Sequence, residues 1–289
     1  MESRRLSRTE VISRSDALPA LPAIVSQVLA TIDDDDANLA LLVEHIRHDP
    51  IITARVLSLA NAAAAKSRRD GPVHDIFTAT SLVGTGRLRE LALLGSIGSF
   101  FGHTTRSLPS SFWRHAIAVG MCAQELSLLN GSRSNVGGAL IAGLLHDVGQ
   151  LWLQCFRADA FAAATAGACE HRISINDAER ECFGVDHAVI GGWLARNWML
   201  PESICRAIEL HHSPDEGLAE PLIAVVHIAE VLGNALDLSE GCDNRVHSFS
   251  IAACNVLGLS WNAGVQSLFG RMEARSRHAA QCFQRLDQP

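Results

Sequence analysis

The sequence predicts an all-α protein, and three observations carry that reading. Apolar residues recur at three- and four-residue spacing through most of the chain, the pattern of one helix face. Helix boundary signals punctuate these runs, with proline just inside a start and aspartate or serine just before it. Strand signals are almost absent: there are no alternating β-branched runs and no hairpin turns. The chain has 289 residues, 48% hydrophobic and 19% charged, which is ample for one large or two small globular domains with a proper core.

Taken in order, residues 1–16 carry Arg4, Arg5, Arg8 and Arg14 among polar neighbours and read as a short, mobile polar tail. Two prolines in Leu18-Pro-Ala-Leu-Pro22 fix the entry to a helix over 23–32. The charge run from Asp33 to Asp36 reads as a solvated turn that caps the next helix, 38–47, because it lacks the glycine and spaced oxygens of a calcium loop. His48-Asp-Pro50 breaks that helix, with Asp49 as cap and Pro50 opening the next one, 51–64. After a polar loop at 66–72, helices at 75–83 and 84–99 join at Gly84-Thr-Gly86. The second half opens near Leu108-Pro109. An amphipathic helix over 111–129 is followed by an apolar one over 135–155, in which Gly137, Gly138 and Gly143 allow close helix contact. Helices follow at 158–172, at 176–183, at 187–198 with Asp186 as cap, and at 202–211 after Pro201. The last are expected at 221–236, 250–257 and 261–284.

Several function classes are disfavoured. Every long apolar stretch is interrupted by Gly, His, Arg or Glu before it reaches spanning length, so no membrane helix is expected. The first residues lack the apolar core of a secretory signal. Eight cysteines are scattered with no CxxC pair, and several lie in apolar helical context, which fits small buried thiols in a reducing cytoplasm. A formal net charge of −7 argues against a broad nucleic-acid-binding face.

The informative residues are five histidines and one aspartate: His115, then His146-Asp147, then His187, then the pair His211-His212. Each lies in or beside an apolar helical run. A histidine there is costly unless something satisfies its ring nitrogens, and repeating that cost at separated places argues for a shared reason. Imidazole nitrogen with carboxylate oxygen suits one or two divalent transition metals such as Fe, Mn or Zn. For any one of these residues alone, a core histidine hydrogen-bonded to its neighbours is the commoner explanation.

These residues lie within an ordered series of segments that resembles the HDOD proteins, the HD-related output domain of bacterial signalling. The series runs through Leu18-Pro-Ala-Leu-Pro22, then residues 46–61 ending in Leu-Ala-Asn61, then Ser81-Leu-Val-Gly84 with Arg87-Leu-Arg89. It continues through Phe112-Trp-Arg-His115, Gly143-Leu-Leu-His-Asp-Val-Gly149, Glu181-Cys-Phe-Gly-Val-Asp-His187 and Trp198-Met-Leu-Pro201. The resemblance implies an N-terminal helical lobe at about 17–107 and a helical lobe related to the HD phosphohydrolases at about 108–215. Residues 216–289 would complete or extend the second lobe. Most HDOD members are considered to have lost the HD metal ligands, and this chain keeps many. By similarity to the HD-GYP phosphodiesterases, His115, His146, Asp147, His187, His211 and His212 fall at ligand positions, and Glu230 falls where a final aspartate is expected. The implied arrangement is one metal on His115, His146, Asp147 and Glu230, with Asp147 bridging to a second on His187, His211 and His212.

Two departures matter. Gln150 stands where the related enzymes carry a lysine after His-Asp-x-Gly, which makes it the candidate ligand-contacting position. Residues 211–217, His-His-Ser-Pro-Asp-Glu-Gly, replace the Gly-Tyr-Pro segment, and the chain has no tyrosine. A neutral Gln150 cannot supply a lysine's charge to a phosphate. The expected function is therefore a cytoplasmic signal-transduction output module that binds metal and acts through a signalling partner or a nucleotide-like ligand. The alternative is a metal-dependent phosphohydrolase for a nucleotide or cyclic dinucleotide, with Asp147 as the catalytic centre. No receiver, kinase or cyclase segment is legible, so the input is expected from another protein or a ligand. Trp152, Trp193 and Trp198 read as core, Arg47, Arg55, Arg87 and Arg89 as solvated helix faces, and Asn61 as a helix cap or a hydrogen-bond donor to a neighbouring segment.

Overall fold

The computed structural model describes residues 5–15, 56–57, 60–61, 73, 76–84, 110–129, 136–238, 246, 248–259 and 263–284. The helices expected at 23–32, 38–47 and 84–99, the Asp33–Asp36 turn, and Arg47, Arg55, Arg87 and Arg89 lie outside these residues. Every described element is helical. The chain divides into two compact units, one of residues 1–20 and 106–281 and the other of residues 21–105 and 282–289.

In the smaller unit, helix α2 (Ile76–Val83) ends where Gly84 takes a φ of +84°. A glycine tolerates that left-handed turn, and this accounts for the expected break. Asn61 donates from Nδ2 to the carbonyls of Leu57 (2.9 Å) and Val73 (3.1 Å), and its Oδ1 accepts from the Val73 N–H at 2.6 Å. It thus links its own helical turn to a segment twelve residues on.

The larger unit begins with a difference from the sequence reading. Residues 1–16 read as a tail, but α1 (Arg8–Ser15) is helical, with Leu6, Val11 and Ser15 buried. The Leu6 N–H donates to the Phe183 carbonyl at 2.8 Å, Asn197 Nδ2 donates to Ser15 Oγ at 3.1 Å, and Arg157 pairs with Glu10. Two buried apolar residues among many polar ones are too few to register as periodicity, so docking rather than local propensity orders this helix.

The core of this unit is laid down by α3 (Ser110–Leu129) and α4 (Val136–Leu145), which pack together. Residues 116–127 are all buried, and a Cβ on Gly143 would sit 2.8 Å from Gly120 Cα and 2.9 Å from the Val119 carbonyl oxygen. Only glycine lets the two backbones approach this closely. The apolar run expected as one helix over 135–155 is broken: α4 ends at Leu145, His146 and Asp147 form a turn, and α5 (Val148–Phe156) begins after them. Apolar composition continues through the break, so periodicity does not reveal it.

Helices α6 (Ala158–His171) and α7 (Ile175–Phe183) pair with each other. Ser174 caps α7 by accepting from the Asp177 N–H, and α7 ends on Gly184 at φ +78°. Asp186 caps α8 (His187–Asn197) as expected, accepting from the Val189 N–H at 3.0 Å. Helix α9 (Glu202–Glu209) packs on α8 and on α4. Helix α10 (Pro221–Ala235) is buried nearly all round, as its uniformly apolar sequence requires, and lies against α3. Helices α11 (Ile251–Val256) and α12 (Ala263–Gln284) close the described chain. Of the three tryptophans expected in the core, Trp152 is fully buried, while Trp193, within α8, and Trp198, at its C-terminal cap, are only half-buried. No described helix is long and apolar enough to cross a membrane.

Candidate metal centre

The two breaks in helical continuity make the site. Successive residues on an α-helix point about 100° apart, so a continuous helix would splay His146 from Asp147 and His211 from His212. Ending α4 at Leu145 and α9 at Glu209 removes that constraint. Each break is secured the same way. His146 Nδ1 lies 2.7 Å from the Gly143 carbonyl, and His211 Nδ1 lies 2.6 Å from the Ile208 carbonyl. Both rings thereby satisfy a carbonyl left open at a helix end, three residues back. A carbonyl only accepts, so each Nδ1 carries the proton and each Nε2 is left to face inward. His187 follows the same logic with a different acceptor: its Nδ1 lies 2.6 Å from Glu179 Oε2.

The inward atoms converge on Asp147. Its Oδ2 lies 3.2 Å from His146 Nε2 and 3.7 Å from His115 Nε2. Its Oδ1 lies 3.1 Å from His187 Nε2 and 3.8 Å from His211 Nε2. One carboxylate therefore presents one oxygen to each of two ligand groups. Asp147 stands at the cap position of α5 yet makes no capping hydrogen bond, which frees the carboxylate for the cluster. Donor atoms of Asp147, His187, His211 and His212 lie within 4.8 Å of one another, as do those of His115, His146 and Asp147. Glu230, on α10, groups with His146 and His211 rather than with His115, and its Oε2 lies 3.6 Å from His212 Nδ1. All seven residues expected as ligands are thus brought to one place. Gln150 sits in the first turn of α5, half-buried, and the contacts among the seven are made without it.

The close approach of α5 to α8 depends on Gly149. A Cβ there would lie 2.0 Å from the His187 carbonyl oxygen, an impossible contact with backbone. The glycine three residues after His146 is thus what allows His187 to reach Asp147.

Two supporting residues were not legible in the sequence. Glu179, on α7, is fully buried and also accepts from the His187 backbone N–H at 2.7 Å. His227, on α10, donates from Nδ1 to the His211 carbonyl at 2.7 Å, and its Nε2 accepts from the Ser250 N–H at 3.2 Å. Glu179 looks in sequence like its exposed neighbour Glu181, and only packing distinguishes them. His227 stands one turn before Glu230 in a buried helix, a position that could have flagged it.

The charges in the cluster respond to burial and to one another. Burial pushes His115 down to about 4, helped by the charge of His146. Burial also holds His211 and His212 well below the ordinary histidine value, so both stay neutral. Burial opposes charge on His146 and His187 too, but Asp147 outweighs it for the first, and Glu179 with Asp147 outweighs it for the second, so both end above that value. Asp147 stays well below the usual carboxylate range despite its burial, because His146 and His187 flank it. Glu230 is pushed up to about 7 by burial and by the charge of Asp147. The test of fit is more direct. Nε2 of His146, Nε2 of His211 and Oδ1 of Asp147 are buried with no hydrogen-bond partner. His187 Nε2 and Asp147 Oδ1 are close but not aligned on each other. His187 Nε2 meets His212 Nε2 at 2.9 Å, but buried polar atoms are normally satisfied, and the three unpartnered atoms of His146, His211 and Asp147 are the arrangement a metal would complete. The donor set of five imidazoles and two carboxylates suits Fe, Mn or Zn rather than Mg or Ca.

Comparison with known proteins agrees with this architecture. The HDOD domain model matches residues 18–214, well over half of the chain. The chain belongs to the HDOD family. An HDOD domain protein of unknown function from Geobacter sulfurreducens has a crystal structure similar to this HDOD chain, with a TM-score of 0.74 and 25% identity, covering 94% of this chain and 98% of that one. A candidate phosphohydrolase from Shewanella amazonensis SB2B shares the fold at a TM-score of 0.70 and 22% identity, covering 94% and 97% of the two chains. An uncharacterized protein of Treponema pallidum (strain Nichols) is 28% identical over 234 residues. That match takes in 78% of this HDOD chain and 44% of the relative's own length.

Proposed function

We propose that this chain is a bacterial signal-transduction output module whose HD-like part holds one or two divalent transition metals, and that it acts in the cytoplasm by engaging a signalling partner or a nucleotide-like ligand. The observation that carries the metal reading is the tautomer arrangement: three buried imidazoles have Nδ1 tied to acceptors and Nε2 turned toward Asp147. When bound, such ions attract phosphate oxygens and lower the pKa of water. Asp147 would join the two ligand groups, and His187, His211 and His146 would fix them from the buried side. His115, His212 and Glu230 border the less buried side, where a ligand would arrive. The cytoplasmic assignment draws support from Cys122, Cys205 and Cys254, which are free and buried. The net charge of −7 favours a protein or small-molecule partner over nucleic acid.

One observation favours a second reading, a metal-dependent phosphohydrolase. The two oxygens of Asp147 face different ligand groups, which is the layout of a two-metal clamp on a phosphate ester. Against turnover stand the neutral Gln150 and the carboxylates of Asp215 and Glu216 just after the histidine pair. Loss of one electrostatic contact to a developing charge costs on the order of a hundredfold in rate.

Elemental analysis of protein purified without chelator tests the first reading. About one or two equivalents of Fe, Mn or Zn are expected, as for clustered His and carboxylate ligands, and a His146→Ala/Asp147→Ala double variant should lose them. Metal below about a tenth of an equivalent, unchanged in that variant, would overturn the reading. Assay against a nucleotide and cyclic-dinucleotide panel, with Mn and Fe supplied anaerobically, separates the two. Little or no hydrolysis is expected, and multiple turnover abolished by Asp147→Ala would make the phosphohydrolase reading the correct one.

A further inference from the structure

We infer that Glu179 is a positioning residue that makes the ligand group of His187, His211, His212 and Asp147 the tighter of the two metal positions, an inference that rests on the metal-binding reading above. Glu179 reaches the centre from a separate helix, α7, and has no exposure to solvent. Its Oε2 accepts from His187 twice, from the backbone N–H at 2.7 Å and from ring Nδ1 at 2.6 Å. Its other oxygen, Oε1, is buried with no hydrogen-bond partner. A carboxylate is costly to bury, and here its described hydrogen bonds both go to one residue that is itself aimed at the cluster.

The three inner rings differ in what holds Nδ1. His146 and His211 donate to neutral carbonyls, while His187 donates to a full carboxylate. A carboxylate draws the Nδ1 proton more strongly, leaves Nε2 richer in electron density, and locks the tautomer and ring orientation. Such outer partners typically change metal affinity by about 10–100-fold. The two positions share Asp147, so this asymmetry separates their affinities and sets an order of filling, with the His187 position first. The backbone bond from His187 adds a second constraint, because the same oxygen fixes where α8 begins relative to the ring.

Zinc titration against a chromophoric chelator tests this on the full chain. Wild type should show two affinities. Glu179→Gln keeps an acceptor but removes the charge, and should weaken the tighter one about tenfold; Glu179→Ala removes both, and should weaken it about a hundredfold. Glu181→Gln, exposed on the same helix, should change nothing. The spectroscopic readout is nitrogen-15 NMR of histidine in the zinc-loaded wild type, where His187 should be the Nδ1–H tautomer with its proton strongly shifted by the hydrogen bond. If the Glu179 variants do not fold, that spectrum decides, and an Nε2–H tautomer at His187 overturns the inference. Zinc affinities equal across wild type and folded Glu179 variants overturn it while leaving the metal reading intact. A wild type that binds no zinc overturns both.

Discussion

His146, His187 and His211 are fully buried, and each is held at Nδ1 by an acceptor within 2.7 Å, whereas His115, His212 and Glu230 retain 18%, 15% and 14% of their side-chain exposure, and His212 contacts other members of the cluster, with Nε2 2.9 Å from His187 Nε2 and Nδ1 3.6 Å from Glu230 Oε2. The two sides of one cluster are thus built for different tasks. The inner side is fixed before any ion arrives, so the cost of orienting its ligands is met during folding. The outer side is nearer solvent, which suits ligands that would share an ion with an arriving molecule. Pre-organised donors give affinity, and solvent-facing donors give access.

The largest effect should come from the residue common to both sides. Asp147→Asn keeps size and hydrogen-bonding shape but removes the charge facing both groups, and metal content should fall below about a tenth of wild type, in line with the loss of a shared ligand. Retention of one full equivalent would show that the two sides bind independently of Asp147.

Next is Gly149→Ala. Its Cβ would meet the His187 carbonyl at 2.0 Å, so α5 and α8 must separate. Overpacking of this kind costs about 1–3 kcal/mol, and metal affinity should fall with it because His187 leaves Asp147. A thermal melt together with a zinc titration reads both. Unchanged affinity would mean that the inner side is less rigid than described.

A matched pair of variants separates the two sides. His211→Ala should lower both metal content and melting temperature, since it empties a buried position and frees the Ile208 carbonyl; large-to-small changes in a core cost about 2–5 kcal/mol. His115→Ala should lower metal content by one equivalent at most and leave the stability of the metal-free protein within about 0.5 kcal/mol of wild type, as for a less buried site. Equal effects on stability would erase the distinction between the two sides.

The smallest expected effect is on pH dependence. Any Nε2 that takes a proton is lost as a ligand. His146 and His187 lie above the ordinary histidine value, so they are the first to protonate as pH falls. Metal affinity should therefore weaken as pH is lowered through neutrality, before His211 and His212, held well below that value, begin to protonate. Affinity independent of pH over this range would contradict that order.

Much of this was legible in the sequence, for definable reasons. Helix type and most boundaries follow from apolar spacing and from caps such as Asp186, whose side chain accepts from the first turn of α8. The gathering of five histidines around Asp147 was legible because His-Asp and His-His pairs in apolar surroundings have few cheap explanations, and Glu230 joined them through the resemblance to the HD-GYP phosphodiesterases. The interruption at His146–Asp147 was not, because hydrophobicity continues across it and the turn is stabilised by a ring-to-carbonyl bond that leaves no compositional trace. Helix α1 was missed because its stability resides in contacts with Phe183 and Asn197, far away in sequence. Glu179 was missed because a buried and a solvated glutamate on one amphipathic helix are distinguished only by what packs against them.

Anomalous diffraction from crystals grown with Mn or Zn, recorded at the metal absorption edge, tests the metal centre most directly. A peak is expected about 2.0–2.2 Å from Asp147 Oδ1 and from Nε2 of His187 and His211, the usual coordination distances, with any second peak on the Oδ2 side toward His115 and His146. A cluster with no peak at full metal occupancy elsewhere, or an ion bound to Nδ1 rather than Nε2, would contradict it.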